Sequence, residues 1–218
     1  MSPARELLNS ASRPYRACGR LAYHFARGKL RQDPVFAAIL ARGLLAGRAR
    51  ILDLGCGQGL LAAWLLAAGS RAEIRGIELV GRYALRARRA LGDQAEFVIG
   101  DVRATDFGRA DGVVILDVLH YLEYAEQPGI LERARAALRG GGVLLLRVGD
   151  AGSGWGFKIG KWMDQMTLLM TGQGLRQLHC RPAAEWRQLL AGAGFDSETV
   201  PMSAGTPFAN VLMIARPR

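Results

Sequence analysis

The stretch Arg50-Ile-Leu-Asp-Leu54 runs straight into Gly55-Cys-Gly-Gln-Gly59, and residues 60–68 then carry a helical apolar pattern. A strand, a turn built on three glycines and a helix start leave few folds open. Glycines in such a turn reach positive φ and let the backbone come close to a ligand. The following helix presents free N–H groups and the positive end of its dipole, which suits a nucleotide or a carboxylate. The unit belongs to an α/β sheet, with a ligand site at the carboxyl end of its strand.

The same rhythm recurs along the chain. Glu73-Ile-Arg-Gly-Ile-Glu78 predicts a second strand, and residues 80–91 a helix with Tyr83, Leu85 and Leu91 inward and Arg82, Arg86, Arg88 and Arg89 on a solvated face. Glu96-Phe-Val-Ile99 predicts a third strand ending at Gly100-Asp101, and Gly112-Val-Val-Ile-Leu116 a fourth ending at Asp117. A helix near 126–139 leads to a fifth strand at 142–148, followed by Gly149-Asp150. Residues 182–193 read as another helix, ended by Gly194. Two closing strands, 195–200 and 208–215, are joined by a short turn around Gly205-Thr-Pro207 and so are antiparallel neighbours. Short aliphatic runs alternating with helices are the pattern of a parallel sheet. Upstream, residues 1–32 read as basic and helical, and Asp33-Pro34 starts a helix running to about Leu45.

Composition narrows the function classes. The chain has 218 residues, half of them apolar, enough for one domain with a substantial core. No run of about 18 uncharged apolar residues exists, which argues against a membrane-spanning helix. Arg16, Arg20 and His24 break the first apolar stretch and argue against a secretory signal. The Arg-rich, acid-poor start also has the composition of a mitochondrial transit peptide, but its Tyr, His and Phe lie at packing-like spacings. Cys18, Cys56 and Cys180 form neither a disulfide framework nor a zinc spacing, so a reducing, cytoplasmic setting is expected and no metal site. The net charge of +10 invites a nucleic-acid reading. Only Lys29, Lys158 and Lys161 of the 29 basic residues are lysine, however, and that bias with many Ala and Gly reads as GC-rich bacterial coding.

Acidic residues end consecutive strands. Glu78 follows the last glycine of the turn by 19 positions, where a carboxylate accepts from both ribose hydroxyls. Asp101 ends the third strand, where a carboxylate can accept from an exocyclic amine such as that of adenine.

With these residues in place, the sequence resembles the class I S-adenosylmethionine-dependent methyltransferases, of the small-molecule type. The carrying motifs are Ile51-Leu-Asp-Leu-Gly-Cys-Gly-Gln-Gly59, Gly76-Ile-Glu78, Gly100-Asp101-Val102, Leu116-Asp-Val-Leu-His-Tyr121 and Leu138-Arg-Gly-Gly-Gly-Val-Leu144. They cover about residues 35–150 in order. The resemblance implies a Rossmann-like, seven-stranded α/β sheet of order 3-2-1-4-5-7-6, the last strand antiparallel and helices on both faces. It implies S-adenosylmethionine as cofactor and S-adenosylhomocysteine as product. Gly55, Cys56, Gly57 and Gly59 would shape the methionine pocket, and Asp53 would orient the amine or the loop. Glu78, with Leu79 beside it, would hold the ribose. Asp101 and Val102 would contact adenine, and the backbone at Leu116 and Asp117 would lie beside the sulfonium. The amino-terminal segment would cover the cofactor, with Tyr23 or Tyr15 touching it.

The implied organisation is a single domain over 1–218. It comprises a helical cap (1–47), a cofactor-binding core (48–150), a helical lid insertion (151–181) and a terminal helix with a β pair (182–218). In the insertion, Trp155, Ile159, Trp162, Met166 and Leu169 recur at three- and four-residue spacings, one apolar face of a helix. Such a face lines an acceptor chamber, or packs on the sheet edge or in a dimer. With Trp155, Trp162, Met166, Tyr121 and Asp150 as candidate substrate contacts, the acceptor would be a small apolar or aromatic molecule, free or on an acyl carrier protein. Lys158 and Lys161 could instead meet a membrane surface peripherally. His120 is the candidate general base, its other reading being a packed histidine; Asp150 alternatively caps the glycine-rich turn.

Rival readings remain at this point. Gly57-x-Gly59-x-x-Ala62 fits the dinucleotide frame of NAD-dependent reductases. The charge suggests RNA or other nucleic-acid methylation, although Asp117-Val-Leu-His lacks the Pro-Pro-aromatic motif and no Pro-Cys pair is present. A non-catalytic nucleotide-binding module is the reading outside enzymes. The texture around Arg181-Pro-x-x-Glu-Trp186 is similar to methyltransferases of bacterial secondary metabolism, including aryl-polyene pathways.

Overall fold

A computed structural model describes residues 2–153, 177–204 and 209–218. Seven strands form one sheet of order β3-β2-β1-β4-β5-β7-β6. The strands are β1 (Arg50–Leu54), β2 (Glu73–Glu78), β3 (Glu96–Ile99), β4 (Ala110–Leu116), β5 (Leu138–Gly149), β6 (Phe195–Pro201) and β7 (Asn210–Pro217). β7 is antiparallel to both of its neighbours, and β1 to β5 are mutually parallel. The expected order and the reversed last strand are both present. The helices are α1 (Pro3–Ser12), α2 (Arg20–Gln32), α3 (Pro34–Ala41), α4 (Leu60–Ala67), α5 (Gly81–Leu91), α6 (Gln127–Ala137) and α7 (Ala183–Gly192). Short 3-10 turns lie at Arg13–Cys18, Gly92–Gln94 and Leu119–Tyr121.

Strand alternation sorts the core into two layers. On one face Ile51, Val114, Leu145, Leu212 and Ile214 pack with residues of α1 to α4, including Tyr15, Phe36 and Trp64. On the other, Leu52, Val113, Ile115, Leu144, Leu146 and Met213 pack with α6 and α7 through Leu131, Trp186 and Leu190. Helix α4 is apolar all round because it lies between the sheet and the amino-terminal helices, with Leu60 to Leu65 all buried.

Three local expectations are corrected. Helix α3 is capped by Asp33, whose carboxylate accepts from the Val35 amide at 3.1 Å, but it ends at Ala41 rather than near Leu45. In α5 the buried stripe is Ala84, Ala87 and Leu91, so Leu85 is exposed and Tyr83 only half-buried. Small alanines let that helix approach closely, and the site of a Cβ on Gly59 would be 3.0 Å from Ala87 Cβ. Strand β5 begins at Leu138, before the glycines, because Leu138 already pairs with Ala110 across a register shift. Trp155, Trp162, Met166, Lys158 and Lys161 lie outside the described residues. Among the described residues no helix is long and apolar enough to cross a membrane.

Candidate active site

Strand β1 lies between β2 and β4, so the chain leaves it in opposite directions along the sheet. A doubly wound sheet opens a crevice at such a switch point, outside the carboxyl ends of its strands. Asp53, the glycine turn, Glu78, Asp101 and Asp117 all occur at that edge, at or just beyond the ends of β1 to β4.

The glycine turn folds over the end of β2. The amides of Gly55 and Cys56 both donate to the Ile77 carbonyl, at 2.7 and 3.2 Å. Gly55 has φ 72°, and a Cβ there would collide with the Val118 side chain, so both conformation and space exclude other residues. Cys56 is buried, and its sulfur lies where a Cβ on Gly76 would be. Burial pushes its thiol up, with Asp53 and Glu78 adding to the shift, so it is inert packing of a tight turn. Gly59 caps α4 in the left-handed region, at φ 75°.

Two acids lie beneath this turn. Glu78 Oε2 accepts from the Gly57 amide at 2.8 Å, and Oε1 from the Val80 amide at 2.7 Å. Burial still holds its carboxyl above the ordinary range, against these amide bonds. Asp53 is 4% exposed, and among the described residues none donates a hydrogen bond to its carboxylate. Burial and then the charge of Glu78 push it up to about 7. A buried carboxylate without a partner is costly unless a cation meets it. S-adenosylmethionine brings two cations, an ammonium and a sulfonium. The residues present therefore fit that cofactor better than an anionic nucleotide, whose phosphates would face two acids.

Farther along the edge, Leu79 and Ile99 are large apolar side chains about half exposed. Ile99 is the register partner of Glu78, so the two apolar surfaces flank the ends of adjacent strands and suit the face of a purine ring. Asp101 accepts from the Arg103 amide at 2.8 Å and from its guanidinium, Nη2 to Oδ2 at 2.6 Å. That hydrogen bonding holds Asp101 below its ordinary range. Arg103 also reaches Glu126 at 3.0 Å. The carboxylate expected to meet adenine is thus already oriented by an arginine, with acceptor capacity left for an amine. Val102 is buried, and its carbonyl accepts from Arg133 at 2.5 Å.

At the end of β4, Leu116 is half-buried and Asp117 has φ 58°, the one positive φ outside glycine among the described residues. His120 is 5% exposed, in the single turn that follows. Burial lowers it to about 4, more than the Asp117 charge raises it, so it is neutral at pH 7. Its ring lies 4.2 Å from that of Tyr121, centroid to centroid. Asp150 Oδ1 accepts from the amides of Gly152 and Ala183, at 3.0 and 2.9 Å, joining the turn after β5 to the start of α7. That is the capping alternative for this residue.

Three residues of the site's framework carry no sequence motif. Tyr15 is fully buried, and its hydroxyl donates to the Gln58 carbonyl inside the glycine turn at 2.7 Å. Burial raises its phenol, so it stays protonated as a donor. Tyr23 is half-buried on α2 with the Arg16 guanidinium 4.9 Å from its ring. Of the two tyrosines, Tyr15 is the one that bonds the turn. Gln127, fully buried, donates to the carbonyls of Leu119, Leu122 and His179 at 3.1, 3.2 and 2.8 Å and stitches 177–181 to the turn after β4. Arg147 is buried between Asp33 and Asp117. A signal existed only for Tyr15, through its packing-like spacing.

A groove of about 520 Å³ at the opposite end of the sheet is lined by Arg50, Glu73, Arg75 and Glu96. Within it Arg50 pairs with Glu73 at 2.8 Å and Arg75 with Glu96 at 3.4 Å.

Residues 51–142 match the family model described as a methyltransferase domain. A carboxy-S-adenosyl-L-methionine synthase from Chromohalobacter salexigens is 34% identical over 131 residues, covering 53% of this chain and 48% of that protein. The chain therefore spans about half the length of the curated relative it matches. An O-methyltransferase family protein from Burkholderia thailandensis superposes with a TM-score of 0.68 at 19% identity, over 93% of this chain and 61% of that one. A magnesium protoporphyrin IX methyltransferase from Synechocystis PCC 6803, solved with S-adenosylhomocysteine, gives 0.62 at 22% identity, over 91% and 88%. These likenesses establish the fold.

Proposed function

We propose that this protein transfers the methyl group of S-adenosylmethionine to a small apolar or aromatic acceptor, free or presented on an acyl carrier protein, in bacterial secondary metabolism. The observation that carries the cofactor half is the buried, unpartnered Asp53 beside Glu78, under a glycine turn. The fold likeness to small-molecule methyltransferases supports the acceptor half.

In this reading Asp53 accepts from the cofactor ammonium, which restores its ordinary ionisation. Glu78 takes the ribose hydroxyls while keeping the Gly57 amide in place. Leu79 and Ile99 flank adenine, with Asp101 at its amino edge. The cofactor supplies an electrophilic methyl group, and the chain's task is alignment and exclusion of water. His120 is neutral at neutral pH and so is in the form that takes a proton. Its low basicity suits an acceptor that needs little help, such as a phenol or a carboxylate. Three free cysteines agree with a reducing, cytoplasmic setting.

The test is calorimetric titration with S-adenosylhomocysteine, with NADH and NADPH as controls. Labelled-methyl transfer to aromatic acids, phenols, aryl thioesters on a carrier protein, and tRNA follows. Thioether binding and labelling of an aromatic acceptor are expected. Labelling of tRNA alone would transfer the protein to the nucleic-acid class. Binding of a nicotinamide nucleotide alone would restore the Gly57-x-Gly59-x-x-Ala62 frame.

A further inference from the structure

Arg147 stands in an unusual position for a guanidinium. It lies on β5, in register with Leu116, and is 3% exposed. Strand alternation puts it on the same face as Val143 and Leu145, toward the amino-terminal helices. All of its carboxylate contacts come from outside its own strand. Nε donates to Asp117 Oδ1 at 2.9 Å, Nη2 donates to Asp117 Oδ2, and Nη1 donates to Asp33 Oδ1 at 2.5 Å. The Asp117 amide returns a bond to the Arg147 carbonyl at 3.2 Å.

Each carboxylate is itself tied to a separate part of the fold. Asp33 is the junction of α2 and α3, capping Val35 and meeting Lys29 at 2.8 Å. Arg147 and Lys29 hold it below its ordinary range despite burial. Asp117 is the residue with φ 58°, and the next residue, Val118, packs where a Cβ on Gly55 would be. A left-handed aspartate is tolerated but not favoured, and persists where neighbours over-determine it. The planar fork of arginine holds one carboxylate bidentately and a second one singly, a geometry an ammonium does not reproduce.

We propose that Arg147 is a positioning residue of the transfer site. It fixes the Asp117–Val118 turn against the glycine turn and links that turn to the amino-terminal helical cap through Asp33, without touching the cofactor. Cofactor affinity then depends on an arginine on β5 and on a capping aspartate between α2 and α3. The inference rests on the methyltransferase reading of the crevice.

The test compares S-adenosylhomocysteine affinity and melting temperature in the intact chain. The variants are Arg147→Lys, Arg147→Met and Asp33→Asn, with Leu190→Ala as a destabilised control in α7. Arg147→Lys keeps the charge and is expected to fold, yet to bind at least about tenfold more weakly. Asp33→Asn should weaken binding several-fold, although it lies in the cap. Leu190→Ala should melt earlier and bind as the wild type does. Wild-type affinity in a folded Arg147→Lys would overturn the proposal, as would an equal loss of affinity in Leu190→Ala. Should Arg147→Met fail to fold, the lysine and Asp33 variants decide. A wild type that binds no S-adenosylhomocysteine would instead remove the cofactor reading, and this inference with it.

Discussion

Asp53→Asn tests the buried acid directly. The wild-type carboxyl is pushed up to about 7 from an ordinary 3.8. Across that window the folded state keeps a proton that the unfolded chain has released. Stability attributable to this group therefore falls as pH rises from about 4 to about 7. At about 1.4 kcal/mol for each unit, the full window corresponds to about 4 kcal/mol. The part between pH 5 and 8 corresponds to roughly 2–3 kcal/mol. Asparagine has the same shape and does not titrate. The advantage of Asp53→Asn over wild type should thus grow by that amount between pH 5 and 8. For a chain of this size that is roughly 5–10 °C in the difference of melting temperatures. The fixed cost of burying an amide, about 1–3 kcal/mol, cancels in the comparison across pH. The same variant should bind S-adenosylhomocysteine roughly 10- to 100-fold more weakly, through loss of the charge-assisted bond proposed between Asp53 and the ammonium. Thermal melts and urea titrations at pH 5 and 8, with calorimetry at pH 7.5, read both effects. An offset between the two melting temperatures that does not change with pH would refute the assignment of a raised, unpartnered acid.

Glu78→Ala should lower S-adenosylhomocysteine affinity by two orders of magnitude or more, since it would lose the proposed ribose contacts and frees the Gly57 amide; near-native affinity in calorimetry would sink the ribose assignment. Tyr15→Phe removes one buried hydrogen bond to the glycine turn and should cost about 1–2 kcal/mol in urea unfolding, with a several-fold loss of cofactor affinity; an unchanged midpoint would show that the bond contributes nothing. His120→Ala should slow turnover and spare cofactor affinity, and the wild-type rate should show no inflection near 6.5, because the imidazole is already neutral above about 4; a clear step at pH 6–7 that vanishes in the variant would contradict the burial argument.

The order of elements was legible because its signals are local. β-Branched runs, glycine at strand ends and an Asp-Pro helix start act over a few residues, and strands β2 and β3 fall on the expected bounds. The acids at the carboxyl edge of the sheet were legible for the same reason, since Asp53, Glu78, Asp101 and Asp117 each occur at or just beyond a strand end. Where side chains of similar period compete, pattern misled: in α5 the two alanines face the sheet and Leu85 faces out, because the packing distance to the glycine turn admits only a methyl group there.

The sequence by itself determined the sheet, its winding and the acidic crevice at its switch point, because apolar periodicity and turn chemistry are properties of neighbouring residues. Tertiary structure alone decided which polar groups meet. Arg147 finds Asp33 across 114 positions and Tyr15 finds Gln58 across 43. No period encodes such pairs; they form because burial leaves a charge or a hydroxyl no partner except the one the folded backbone brings to it.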